Sequence, residues 1–145
     1  MIRTGLVLRA LALAFWFGGG LATFLATSKV FATSPDRKLA GDLAGAILER
    51  VNAVRSLCVL VFLFAFLLGA RGPATAAGGA CAFLQVLAIA ADAMTRRARR
   101  AAGGSIASLP PGDPRRKRFA ALHGAAMLLL TLQVLAAALG LALVA

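Results

Sequence analysis

Four long stretches without Asp, Glu, Lys or Arg decide what this chain can become: 10–28, 56–70, 72–91 and 119–145. A helix rising about 1.5 Å per residue needs roughly 20 apolar residues to cross a ~30 Å hydrocarbon core. The runs therefore predict an all-α integral membrane four-helix bundle. Its transmembrane helices lie at about 5–31, 51–70, 73–95 and 114–144. The second run is short, but residues 51–54 extend it while the Arg55 side chain reaches back to the interface.

Composition supports this. Of 145 residues 61 % are hydrophobic, and 5 acids stand against 16 Lys and Arg. Soluble domains average roughly 45–50 % apolar and about 25 % charged residues. The formal charge of +11 falls in blocks between the apolar runs. That distribution belongs to basic membrane loops, and it excludes a basic nucleic-acid-binding face. The length leaves one transmembrane domain over 1–145 and no room for a soluble one. A cleaved signal peptide is not expected, because the first apolar run exceeds the usual ~7–15 residues and Lys29 crowds the only cleavage context.

The cations also set orientation. The loops after the first and third spans carry Lys29, Arg37, Lys38, Arg50 and Arg55, then Arg96, Arg97, Arg99, Arg100, Arg115, Arg116, Lys117 and Arg118. The other side has Arg3, Arg9 and Arg71, so the division is 13 to 3. Both loops are expected in the cytoplasm and both termini outside it. The block from Arg96 to Arg118 is the expected topological anchor and the contact for anionic headgroups, at about 1 kcal/mol per nearby cation.

Local signals divide the loops. Ser34 as cap and Pro35 as first residue start a short amphipathic interfacial helix at about 35–49, with Leu39, Leu43 and Ile47 on one face. Residues 103–114 read as a turn-rich linker, after which Asp113 caps the fourth helix and Pro114 opens it. Small residues within the spans are expected to let helices approach closely: Gly18, Gly19, Gly20 and Ala22, Gly78, and Gly124 with the later Ala136 and Gly140. Packing of one bundle is the primary reading of these residues. Self-association through one such ridge, or contact with another membrane protein, is the second.

Three segments carry a family resemblance: FWFGGGLATFLATSKVF at 15–31, SPDRKLAGDLAGAILERVN at 34–52 and RKRFAALHGAAMLLLTLQVL at 116–135. In these the chain resembles the DUF4149 or TMEM205-like group of small four-helix membrane proteins. The resemblance implies a membrane protein without an assigned bacterial activity, and eukaryotic relatives are associated with tolerance of platinum drugs. Family members tend to carry Ser and Asn one and two turns after the late His; here Ala126 and Leu130 stand there.

Polar groups inside a membrane are costly and so become candidates for function. His123 lies five residues beyond Arg118 and Asp92 four before Arg96, which puts them at comparable depth near the cytoplasmic end. With Arg55 and Asn52 they make a candidate intramembrane polar cluster. Each also has a structural reading: Asp92 and Arg96 form an i,i+4 pair in the favoured order, and His123 bonds a neighbouring helix. A soft-metal reading through His123, Met127 and Met94 is weaker, because the spacing matches no established site. Cys58 and Cys81 read as buried thiols at different depths. A haem held by two histidines is excluded by the presence of one.

No GxSxG, HExxH or phosphate-binding loop occurs. No enzymatic activity and no cofactor are expected. The leading expectation is a structural, partner or accessory protein of the bacterial cytoplasmic (inner) membrane; 13 Arg against 3 Lys suits a GC-rich bacterial genome. The alternative is a small transporter or permease component moving a solute, proton or metal ion past His123 and Asp92.

Overall fold

The computed structural model describes residues 1–103, 106, 109–110 and 112–144, and for Arg37 the backbone alone. Four helices follow one another: α1 Ile2–Thr33, α2 Arg37–Leu67, α3 Pro73–Ala101 and α4 Pro114–Ala142. Each is long and apolar enough to cross a membrane. The chain is thus an all-α four-helix protein, as its charge-free runs require. The expected linker at 103–114 lies partly outside the described residues.

The separate interfacial helix is a correction. Residues 37–67 form one uninterrupted helix, so the amphipathic segment is the first half of α2. Its sequence explains this, because no Gly or Pro occurs from Ala46 to Leu68 and helix-favouring Leu48, Glu49 and Arg50 fill the junction. Leu39 and Leu43 face outward, and Ala40 is the buried residue of that half. The cap moves as well. Ser34 ends α1 in an extended conformation, which the following Pro35 favours, and Asp36 caps α2 by accepting from the Lys38 N–H at 2.8 Å. At α4 the expected cap is present: Asp113 accepts from the Arg115 N–H at 2.8 Å, with Pro114 as first residue.

Between α2 and α3 the chain turns through Gly69 (φ 88°) and Gly72 (φ 124°). Both angles lie where only glycine is free of strain, and Pro73 then opens α3. The helices run up and down. α1 packs along α2 and α4, α3 packs along α4, and α2 meets α3 only thinly.

The bundle is inside out compared with a soluble one. Its exposed apolar side chains include Leu25, Leu60, Leu67, Phe83, Leu128 and Leu135, whereas much of the buried set is Ala, Gly and Cys with Arg9, Thr23, Arg55, Gln85 and Gln133. Large apolar groups outside and small or polar ones inside is the distribution lipid selects. Trp16 fills the centre against Leu13, Cys58 and Phe62, its ring 6.1 Å from that of Phe62. Phe62 seats on Gly78, where a Cβ would stand 2.2 Å from the ring.

Small residues do serve close packing, but not all the expected ones. Gly20 meets Val134, Gly78 meets Phe62, and Gly140 meets Leu13 and Ala77. Gly18, Gly19 and Gly124 have open space where a Cβ would be, and Ala22 is exposed. Rotation of α1 turns Gly20 inward and the Gly18–Ala22 ridge toward lipid. Gly5, against the Ala65 carbonyl, is a packing position that sequence reading did not single out.

Candidate functional site

Two polar features lie in turn below the end of the bundle where α1 and α3 finish and α2 and α4 begin, one at that end and one toward the centre. The outer one is a cavity of about 860 Å³ between all four helices. His123 and Met127 of α4, Asp92 of α3 and Thr23 and Thr27 of α1 line it. Apolar wall comes from Phe31, Leu48 and Phe119. Charge comes from Lys38, Asp42 and Glu49 of α2, Arg96 and Arg99 of α3, and Arg116 of α4.

Local bonding commits many of these groups. Asp92 pairs with Arg96 one turn on, and Asp42 pairs with Arg99, tying the outer half of α2 to the end of α3. Thr23 and Thr27 donate to the carbonyls of Gly19 and Thr23, each at 2.7 Å, so neither hydroxyl proton is left bare. His123 is exposed and stacks on Phe119, with centroids 6.0 Å apart and planes within 3°. Among the described residues it has no hydrogen bond.

The inner feature is a buried polar layer. The Trp16 indole donates to the Arg55 carbonyl at 3.1 Å. The Gln85 amide donates to the Ser56 hydroxyl at 3.3 Å, and the Gln133 amide to the Cys81 carbonyl at 2.7 Å and to Gln85 Oε1 at 3.3 Å. Helices α1, α2, α3 and α4 are thus stitched in one layer. Arg55 belongs to it. Its side chain is 2 % exposed, so it does not reach back to the interface as expected but points along α2 to Asn52, donating from Nη1 at 3.3 Å. Its Nε and Nη2 are buried and have no acceptor among the described residues, and Gln133 Oε1 has no donor.

The four residues of the expected cluster therefore separate. His123 and Asp92 share the cavity without bonding each other, while Arg55 and Asn52 lie in the layer beneath. For a soft metal, Met127 lines the cavity with His123, whereas Met94 is exposed on α3 and away from it. The described residues bring no three His, Cys, Asp or Glu side chains into metal-binding reach. Cys58 and Cys81 are buried free thiols in one core cluster. Phe62 on Gly78 and Ser56 against Gln85 fix an antiparallel register that sets them at similar depth, contrary to expectation. Of the basic anchor, Arg96, Arg99 and Arg116 line the cavity, and Arg97, Arg100, Arg115, Lys117 and Arg118 are exposed around it.

Sequence reading passed over Arg9 and Trp16. Arg9 is buried near the opposite end, donating from Nη1 to the Arg71 carbonyl at 3.0 Å and to the Thr75 hydroxyl at 3.1 Å. Its position one residue before an apolar run was the available signal. Between the cavity and that end, Leu13, Trp16, Cys58, Phe62, Cys81, Gln85 and Gln133 fill the interior, none more than 6 % exposed. No family model, curated protein or solved structure matches the chain.

Proposed function

We propose that this chain is a non-enzymatic multi-pass protein of a bacterial cytoplasmic membrane, an accessory that works by binding at its basic, cavity-bearing end. The observation that carries this reading is the filled interior beneath the cavity. An open channel needs a hydrated path, and among the described residues the layer of Trp16, Gln85 and Gln133 offers none. The cation bias of 13 to 3 supports a cytoplasmic placement of that end, with both termini opposite. The resemblance to DUF4149 and TMEM205-like proteins accords with a membrane role and adds no reaction.

The transporter reading keeps one observation in its favour, that His123 and Asp92 line one cavity. Proteoliposomes separate the two. Protein reconstituted at known orientation and loaded with a pH-sensitive dye or with radiolabelled solute and metal ions is expected to give the leak of protein-free vesicles. A protein-dependent flux that His123→Leu or Asp92→Asn abolishes would replace the accessory reading with transport.

A further inference from the structure

We infer that the cavity is a binding site for one anionic phospholipid of the leaflet it opens on, the phosphate taken by Lys38 and Arg116 and an acyl chain lying along Phe31, Phe119 and Met127. This rests on the reading of that end as a binding surface and names its ligand. The volume, about 860 Å³, falls in the range of about 300–1,000 Å³ typical of small-molecule sites.

Charge selects the headgroup. Three carboxylates line the cavity, and two of them, Asp92 and Asp42, are already neutralised by Arg96 and Arg99. The Lys38 ammonium has no partner among the described residues, and Arg116 commits one N–H, to the Leu109 carbonyl at 3.2 Å. Glu49 is the third carboxylate, so the lining balances at four cations to three acids, one positive charge in excess. Around it the same end of the molecule holds 13 cations against all 5 acids of the chain, a surplus of 8. A guanidinium and an ammonium that line one cavity are phosphate ligands by charge and donor chemistry.

Depth and wall chemistry select a lipid over free phosphate. His123 lies five residues inside Arg118, about 7.5 Å at helical rise. The headgroup layer on each side of a bilayer is about 5–8 Å thick, the difference between a ~30 Å core and ~40–45 Å overall. The cavity thus runs from the phosphate level down to the first methylenes, and beside Lys38 and Arg116 its wall carries Phe31, Phe119 and Met127, with Glu49 and the Arg96-paired Asp92 further in. Apolar side chains of that size beside the cations match an amphiphile, not an inorganic ion.

The test uses full-length protein, delipidated in detergent, with unfolding followed by the fluorescence of Trp16, the one tryptophan. Dioleoylphosphatidylglycerol is expected to raise the midpoint by roughly 5 °C or more at saturation; dioleoylphosphatidylcholine or inorganic phosphate should move it far less. The double variant Lys38→Gln, Arg116→Gln should bind phosphatidylglycerol about thirtyfold more weakly, from about 1 kcal/mol per cation. Lys29→Gln with Arg97→Gln removes the same charge from the same end outside the cavity, and should keep the response. Met127→Phe, which fills the apolar wall without adding a second tryptophan, should diminish it. Equal shifts with phosphatidylcholine or with phosphate alone would overturn the proposal, as would equal losses in the two double variants. Those results leave the flux assay untouched, so failure of the lipid site is distinguishable from failure of the accessory reading.

Discussion

Replacing Arg55 by methionine should make this protein more stable. The guanidinium is 2 % exposed and makes one long bond, 3.3 Å to Asn52 Oδ1. Two further nitrogens, Nε and Nη2, are buried without acceptors among the described residues. A buried donor left unmatched costs about 1–3 kcal/mol, and a hydrogen bond to a charged group contributes about 1.5–3 kcal/mol. Two penalties therefore stand against one bond of poor length. No carboxylate pairs with Arg55 among the described residues, so its removal strands no opposite charge. The Trp16 indole bonds the Arg55 backbone carbonyl, and Gln85 bonds Ser56, so both contacts survive the substitution. Methionine fills much the same volume. Apolar replacement of buried ionic groups is neutral or stabilising by about 1–4 kcal/mol, and a gain in that range is expected here. Reversible unfolding in mixed micelles, with dodecyl sulfate as denaturant and Trp16 fluorescence as signal, measures it. A loss of stability on Arg55→Met would refute the reasoning, because it would mean that the buried N–H groups have acceptors the four helices do not supply.

Arg9→Met, the same substitution at the other end, should have the opposite sign: it removes two good bonds, to the Arg71 carbonyl and Thr75, against one buried nitrogen, Nε, without an acceptor among the described residues, and should cost about 1 kcal/mol in the same assay. Gly78→Ala places a Cβ 2.2 Å from Phe62 and should destabilise by about 1–3 kcal/mol through overpacking, whereas Gly18→Ala and Gly124→Ala meet nothing and should be neutral or better. The Arg115 side chain, hydrogen-bonded to Asp113, holds that carboxyl below its ordinary range. A depressed carboxylate contributes above its unfolded pKa, so amide-exchange protection in the first turn of α4 should persist at mildly acidic pH. It should fade only as pH falls below the usual carboxylate range; an unchanged exchange rate in Asp113→Ala would remove the cap from consideration. Cys58 and Cys81 should resist maleimide in the folded protein and both react after unfolding, since each is buried and free.

What could be read from the sequence was whatever depends on spacing along one chain. Four charge-free runs suffice for four spans, Asp113-Pro114 for a helix start, and an acid four residues before a base for the Asp92–Arg96 pair. What could not be read is rotation about a helix axis, which neighbouring helices set. Gly18 and Gly20 differ by two residues, about 200° around the helix at 3.6 residues per turn, and only the second meets a partner. The same blindness placed Arg55 at the interface. A side chain with a path to water and one with a path to Asn52 have the same sequence signature. His123 and Asp92 line one cavity, but a shared depth does not decide whether two residues touch.

The unbroken course of α2 has a mechanical consequence. Its 31 residues make a rod of about 46 Å at ~1.5 Å per residue, and no joint separates the half that walls the cavity from the half that carries Asn52, Arg55 and Ser56. A load applied to the outer half, at the Asp42–Arg99 strut or at Lys38, has no hinge near Glu49 in which to dissipate. The segment carrying Asn52, Arg55 and Ser56 continues the same helix. One wall of the cavity and the α2 share of the polar layer at the bundle centre stand on a single rod.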